Sequence, residues 1–269
     1  VDGELVFASE EERWTRHKHS VNEPPMNALR QAFKFLKSKY GIKPKDVDAY
    51  AVNFDPKLIS GKRYSVWFRS TLSNALKYNF ISSDYGIFSM FDATKALVDT
   101  GFHYLAWRFN RDVILIWAER LVRKVIYDLG EELPSRVRII PVVHHLAHAA
   151  SAYYFSGFTN AAVLTVDGNG EFEATVVWRV RDGEFEKIIS IPTYYGSLGY
   201  LYESISLTIG YDRLEGPGKV MGLAPYGQKS KYYERLRSYF RFDDKDYPYY
   251  ITTDGSRPKV VKGDDPIYI

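Results

Sequence analysis

Apolar positions along the chain follow helical spacing in some stretches and strand spacing in others. Helical spacing predicts one helix between Pro25 and Gly41 and another between Asn110 and Gly130, each closed by its glycine. Further helices are expected over residues 196–209 and 229–240. Apolar runs predict strands over residues 4–9, 48–53, 137–143, 161–167, 172–181 and 184–191. This mixture of helices and strands predicts an α/β protein.

Two parts of the chain share a local pattern, which predicts two related lobes facing a cleft. Asp2-Gly3-Glu4 precedes one predicted strand, and Asp182-Gly183-Glu184 precedes another. The lobes are expected at residues 1–156 and 157–269, with an aromatic insertion over about 55–110 that carries helices near 65–78 and 92–108. Because the chain opens at a turn and stops in a Pro/Tyr-rich stretch, we expect the first lobe to lack its opening strand and the second to be truncated.

Composition excludes several classes of function. Of 269 residues, 45% are hydrophobic, enough for a large core, and 36 Lys and Arg nearly balance 33 Asp and Glu. That balance argues against nucleic acid and against an anionic membrane as partners. No apolar run approaches the roughly 18 residues of a membrane span. Cysteine is absent, which excludes thiolate catalysis and Cys-ligated zinc and fits a cytoplasmic location.

A histidine cluster stands where a strand is predicted to end and a helix to begin. Three of the six histidines lie at positions 144, 145 and 148, and α/β sheets bind ligands at such strand ends. His144 and His148 share a helical face and could hold one iron or zinc ion, completed by a carboxylate. His145 lies about 100° round the helix and is not expected to share the ion. The alternative is that these histidines only cap or pack.

Two glycine-rich stretches are candidate phosphate sites. Asp167-Gly168-Asn169-Gly170 follows a predicted strand and is either a hairpin turn or a turn whose backbone N–H groups hold phosphate. Residues 215–227 contain too many glycines and prolines for an ordinary helix. We expect a loop there, with Gly216, Gly218 and Gly222 near a ligand and Lys219 as a point charge for phosphate. The alternative is a turn connecting the lobes.

A charged block at residues 10–19 allows two interpretations. It is either a solvated loop or an anion or acceptor site, which its mixture of Arg, Lys and His would suit. The candidate residues for such a site are Arg13, Arg16, Lys18 and His19.

Three blocks together resemble the NodU-type O-carbamoyltransferases: EEERWTRHKH at 10–19, HHLAHAASAYYFSGFTNAAVLTVDGNGE at 144–171 and GKVMGLAPYG at 218–227. The resemblance implies an actin-like ATPase (ribonuclease H-like) two-lobed fold, here incomplete and with a helical insertion. It also implies that ATP with Mg and carbamoyl phosphate form carbamoyl-adenylate in a YrdC-like domain in the remainder of the chain. The carbamoyl group then passes to a hydroxyl of a small-molecule acceptor.

Residue roles follow from the same resemblance. It implies iron (or zinc) at His144 and His148, with a third ligand beyond Ile269, and catalytic roles for both histidines and Lys219. The implied nucleotide-binding residues are Asp167, Gly168, Asn169, Gly170, Gly218, Lys219 and Gly222. Gly216-Pro217 departs from the family's acidic-aromatic pair, and the chain alone is not expected to perform the full reaction. Two alternatives are an actin-like sugar kinase or ATPase and a non-catalytic nucleotide-binding module.

Overall fold

The computed structural model describes residues 1–20, 23–55, 58, 113–228, 231–242 and 248–252. The chain forms two compact units, one of Val1–Val52 with Leu72–Pro141 and one of Asn53–Thr71 with Val142–Ile269. The boundary between the units at Pro141 and Val142 thus precedes the histidine cluster, whereas the predicted boundary between the lobes lies between residues 156 and 157. Assignment of the units to actin-like lobes stays a prediction, and the helices predicted near 65–78 and 92–108 lie outside the described residues.

The first unit is α/β and confirms the two long predicted helices. Its helices are α1 (Glu12–Thr15), α2 (Met26–Tyr40) and α3 (Val113–Asp128), and its strands are β1 (Tyr50–Val52) and β2 (Ile139–Pro141). Gly41 and Gly130 follow α2 and α3 with φ of 69° and 67°, the left-handed conformation that ends helices. The strands pair in parallel and are half-buried.

The strand predicted over residues 4–9 is wrong, because this segment is irregular. Its apolar side chains do not share one sheet face: Phe7 packs against the ring of Phe35 in α2, with centroids 5.4 Å apart, whereas Leu5 is 66% exposed. A strand needs a hydrogen-bonded neighbour, and none pairs with residues 4–9 in the described part of the chain. The preceding turn does form, with φ of 49° at Asp2 and 84° at Gly3.

The second unit is built on an antiparallel meander. Helix α4 (His144–Tyr153) is followed by β3 (Asn160–Val166), β4 (Glu173–Arg181) and β5 (Glu184–Pro192), which lie side by side in that order. The β4–β5 turn repeats the conformation of the first one, with φ of 49° at Asp182 and 83° at Gly183. The rest of the unit comprises α5 (Thr193–Gly196), α6 (Leu198–Thr208), α7 (Gly216–Leu223), α8 (Lys231–Arg237), β6 (Phe240–Arg241) and β7 (Tyr250–Ile251).

Helix α4 lies on one face of the meander. Its buried residues Ala149 and Tyr153 pack against strand residues that alternate along β3 and β4. These strand residues are Val163, Val176, Trp178 and Val180. Positions 145, 149 and 153 are spaced by four, so they form one buried stripe along α4. Positions 144 and 148, also four apart, lie together at the edge of this stripe.

Residues 216–223 are helical, so the prediction of a non-helical loop there is wrong. Pro217 lies in the first turn of α7, where a missing N–H costs no hydrogen bond. Gly216 is required by contact, because an added Cβ would lie 1.7 Å from the Oγ of Ser206. Pro217 therefore marks the start of α7, and Gly216 allows this helix to pack against Ser206.

The longest helices described, α3 and α2, have 16 and 15 residues. Throughout the described ranges, every helix is too short or too polar to cross a lipid bilayer.

We predict that Gly216→Ala lowers the free energy of unfolding by about 1–3 kcal/mol, because its methyl group overpacks against Ser206. Gly222→Ala in the same helix is the matched control, since nothing lies within 4 Å of its added Cβ. It should leave stability unchanged or raise it by up to about 1 kcal/mol. Urea denaturation measures both, and equal stabilities for the two variants would contradict the packing.

Candidate metal centre

Three ligand atoms of the second unit converge at the start of α4. The Nε2 atom of His144 lies 3.1 Å from the Nε2 atom of His148 and 2.8 Å from the Oδ2 atom of Asp167. The Nε2 atom of His148 lies 3.4 Å from the same carboxylate oxygen. The histidines come from one helical face and the carboxylate from the end of β3. Helix and strand thus bring together a candidate metal-ligand set.

The spacing of these atoms fits a transition-metal ion. Tetrahedral coordination with bonds of about 2.05 Å requires ligand atoms about 3.3 Å apart. The three separations are 3.1, 2.8 and 3.4 Å. Two imidazoles and one carboxylate are also a donor set that suits zinc or iron and leaves positions open. Side-chain exposures of 51% for His148 and 38% for Asp167 leave those positions accessible to solvent.

Without a metal, His144 holds the cluster together through its proton. Its Nε2 faces the Asp167 carboxylate, and its Nδ1 lies 3.4 Å from the carbonyl oxygen of Asn53. Both oxygens can only accept, so a fully protonated ring can donate to each of them. The hydrogen bond to Asp167 accordingly raises the pKa of His144 above its ordinary value. Once Nε2 is deprotonated, the Nδ1–H group facing Asn53 leaves the Nε2 lone pair available for a metal.

Asp167 completes the candidate ligand set, whereas sequence reasoning assigned this residue to phosphate and not to a metal. The hydrogen bond with His144 lowers its pKa to about 2, so the carboxylate is charged at neutral pH. The alternation of side chains along β3 could have indicated that Asp167 lies near the histidines. Val163 and Thr165 are buried on the face covered by α4, and Asp167, two residues further on, continues the same face. The predicted third ligand beyond Ile269 stays a prediction.

The glycine turn after Asp167 is held by hydrogen bonds to other residues of the second unit. The N–H of Gly168 donates to the Asp167 carboxylate at 2.6 Å, and the N–H of Gly170 donates to the carbonyl of Glu173 at 2.7 Å. The hydroxyl of Ser197 donates to the carbonyl of Gly168, and Thr193 donates to the side-chain oxygen of Asn169. Two of the N–H groups expected to hold phosphate therefore already have protein acceptors.

His145 does not join the ligand set, in agreement with its predicted position round the helix. It is fully buried, with its Nε2–H donating to the carbonyl of Glu173 at 3.0 Å and its Nδ1 lying 2.9 Å from the hydroxyl of Thr165. Burial lowers its pKa, so the ring is neutral. Gly170 is required beside it, because an added Cβ would lie 2.9 Å from the His145 ring.

Glu171 is a second carboxylate on the same turn, and sequence reasoning gave it no role. Its side chain is buried, at 2% exposure, and accepts the backbone N–H of His144 at 3.0 Å and that of Asp55 at 2.8 Å. It lies 27 residues from His144 along the chain. No local sequence pattern would have connected them.

A family model described as carbamoyltransferase N-terminus matches residues 1–247. The chain belongs to this family. It is 29% identical over 231 residues to the protein sll1178 of Synechocystis, which covers 84% of this chain and 32% of that protein. It is 26% identical over 253 residues to the nodulation protein NolNO of Sinorhizobium fredii, with 93% and 30% covered.

A third relative, the nodulation protein NolO of Bradyrhizobium diazoefficiens, is 33% identical over 101 residues, 38% of this chain and 18% of that protein. The resemblance inferred from the three sequence blocks is thereby confirmed. The chain spans about a third of the length of the first two of these relatives.

The GKVMGLAPYG block of this carbamoyltransferase N-terminal chain lies on and after α7. Lys219 forms ion pairs with Glu215 at 3.2 Å and Asp212 at 3.5 Å, and these carboxylates raise its pKa. Its charge is therefore already balanced by the protein. Around Gly218 and Gly222 an added Cβ would meet nothing within 4 Å, so the backbone there is open to a ligand.

The charged block at residues 10–19 lies in the first unit, on α1 and the turns around it. Arg13 pairs with Glu10 at 3.1 Å, and the backbone N–H of His19 donates to Glu12 at 2.7 Å. Arg16 and His19 both have a φ of 63°, a left-handed conformation uncommon outside glycine. Arg13, Arg16, Lys18 and His19 are all solvent-accessible, so an anion site there stays a prediction.

We predict that Asp167→Asn lowers the pKa of His144 in the metal-free protein, because the amide no longer stabilises the imidazolium. An NMR titration of the His144 ring measures the shift. Glu186→Gln is the control, since this exposed carboxylate pairs with Arg179 elsewhere in the unit. An unchanged or higher pKa of His144 in Asp167→Asn would show that the two groups do not interact as described.

Proposed function

We propose that this chain is the metal-bearing part of an ATP-using carbamoyltransferase. In this proposal iron or zinc is held by His144, His148 and Asp167, and a carbamoyl group passes to a hydroxyl of a small-molecule acceptor. Carbamoyl phosphate and ATP with Mg would supply the group as carbamoyl-adenylate, formed by a YrdC-like domain in the remainder of the protein. The actin-like ATPase fold implied by the sequence resemblance belongs to the same proposal.

The observation that carries the proposal is the convergence of three ligand atoms within 3.4 Å of one another on an accessible surface. The chain belongs to a family of carbamoyltransferases, and a metal ion at this site would assist such a transfer. When bound, the ion would supply Lewis-acid chemistry, polarising a carbonyl or phosphoryl oxygen placed at its open positions. The exposure of His148 supports substrate access from that side.

The chain's own residues prepare this site in three ways. Asp167 supplies negative charge beside the two imidazole ligands, which favours a divalent cation. The carbonyl of Asn53 fixes the Nδ1–H tautomer of His144, so that Nε2 carries the lone pair. The buried, uncharged His145 keeps its own nitrogens engaged in the core, so it does not compete for the ion.

Nucleotide binding by Asp167, Gly168, Asn169 and Gly170, and by Gly218, Lys219 and Gly222, remains part of the proposal. The open backbone at Gly218 and Gly222 supports close approach of a ligand at α7. Because the N–H groups of Gly168 and Gly170 have internal acceptors, they would bind phosphate only by exchanging those acceptors for it. Lys219 would contribute by exchanging a carboxylate partner for phosphate.

We predict that, in the complete protein, His148→Ala and Asp167→Asn each lower bound metal and carbamoyl transfer by at least about 100-fold, because each removes a ligand atom. Metal content is measured after dialysis. Transfer is measured with labelled carbamoyl phosphate, ATP and a panel of monosaccharides as hydroxyl acceptors. His17→Ala is the matched control, since this exposed histidine pairs with Glu23 outside the cluster, and it should retain both properties.

Other outcomes would select the alternatives. Unchanged carbamoyl transfer by either ligand variant would exclude the proposed centre. Transfer of the γ-phosphate of ATP to the same monosaccharides without carbamoyl phosphate would identify a sugar kinase. ATP binding with no turnover of ATP or carbamoyl phosphate would identify a nucleotide-binding module.

A further inference from the structure

We propose that Glu171 is a positioning residue, whose carboxylate holds His144 in place for metal binding. This inference rests on the proposed metal centre and adds to it a residue outside the three proposed ligands. Glu171 receives the backbone N–H of His144 at 3.0 Å through Oε1 and at 3.2 Å through Oε2. His144 is the first residue of α4, so the carboxylate binds the end of the helix that carries the ligands.

The start of α4 needs such an acceptor from elsewhere. The first N–H groups of a helix have no partner within it, and a polar N-cap side chain usually accepts one of them. Here the N-cap residue is Val143, which provides no side-chain hydrogen bond. Glu171 replaces the missing cap from the β3–β4 turn, and its negative charge is favourable at the positive end of the helix.

The same carboxylate also fixes the segment that sets the tautomer of His144. Its Oε1 accepts the N–H of Asp55 at 2.8 Å. Two residues earlier, the carbonyl of Asn53 faces the Nδ1 atom of His144, and the ring of Phe54 packs edge-on against the imidazole. Glu171 therefore holds both the backbone of His144 and the loop that orients its ring.

The burial of the Glu171 side chain indicates that its hydrogen bonds to the backbone of His144 and Asp55 are a required part of the fold. At 2% exposure, a carboxylate is unfavourable unless hydrogen bonds compensate for lost hydration. Glu171 stands four residues after Asp167 on the same turn, so the turn supplies one carboxylate to the ligand cluster and the other to the backbone of a ligand. Displacing Glu171 would move the first histidine relative to Asp167, whereas His148, one turn inside the helix, would be affected less.

The chain contains a matched control for a cap without a metal role. In the first unit, Glu11 is also buried, at 8% exposure, and accepts the N–H groups of Asn27 and Ala28 in the first turn of α2. Removing Glu11 thus removes a helix cap of the same kind, far along the chain from the histidine cluster. A general effect of lost capping would appear in both variants.

The experiment titrates the full chain with Co²⁺ and Zn²⁺ and records the visible Co²⁺ spectrum, which reports ligand geometry. Glu171→Ala should bind about 10–100-fold more weakly with an altered spectrum, as for other residues that orient metal ligands. Glu171→Gln keeps one acceptor oxygen and should recover part of the affinity. In the metal-free protein, amide hydrogen exchange at His144 should be faster in Glu171→Ala. Glu11→Ala should match the wild type in affinity, spectrum and His144 exchange.

Each other result would overturn the inference. Wild-type affinity and spectrum in Glu171→Ala would make Glu171 a structural cap only, while leaving the metal centre intact. An equal loss of affinity in Glu11→Ala would assign the effect to general destabilisation. Failure of the wild type itself to bind either ion would overturn both the inference and the proposed function. Should Glu171→Ala not fold, the spectrum and affinity of Glu171→Gln decide, and values equal to wild type count against the inference.

Discussion

The rotational setting of α4 against its sheet is the constraint on which the candidate site depends. His145 fixes it: one ring nitrogen donates to the carbonyl of Glu173 and the other faces the hydroxyl of Thr165, with the ring fully buried. Ala149 and Tyr153 extend the same stripe into the core. Since residues four apart share a helical face, this stripe determines where positions 144 and 148 point. A buried neutral histidine thus orients two accessible ones.

The turn between β3 and β4 is the second element of the arrangement. It supplies Asp167 to the histidine rings and Glu171 to the backbone of the first of them. Its glycines permit close packing: Gly170 lies against His145, and the Cα of Gly168 would lie 2.5 Å from a Cβ added to Gly199 in α6. These contacts explain Gly170 and Gly199 by packing alone, and they hold the turn that carries both carboxylates against α4 and α6.

Sequence reasoning recovered the elements whose signals are local. Gly41 and Gly130 end helices, the Asp182-Gly183 turn joins β4 to β5, and the histidine helix begins at 144, all as predicted. It failed where a neighbour decides the outcome. In the described part of the chain residues 4–9 lack a pairing strand, and Gly216 at the start of α7 is explained by Ser206, ten residues earlier.

At the site itself, the histidine pair was predictable from its spacing, but the partners of the pair were not all predictable. Asp167 was identified as functional and assigned to phosphate, because its glycine neighbours dominate the local pattern. Glu171 acts on a residue 27 positions away, and only the packing of α4 on the meander brings the two together. A carboxylate that accepts hydrogen bonds from the backbone of a residue distant in the chain leaves no spacing rule in the sequence.

The central claim is that His144, His148 and Asp167 bind one ion together. X-ray absorption at the metal edge of the zinc-loaded or iron-loaded full chain tests this most directly. The account predicts two imidazole nitrogens and at least one oxygen at about 2.0–2.2 Å for zinc, with one imidazole lost in His148→Ala. A shell without imidazole scattering, or one unchanged by that substitution, would contradict it.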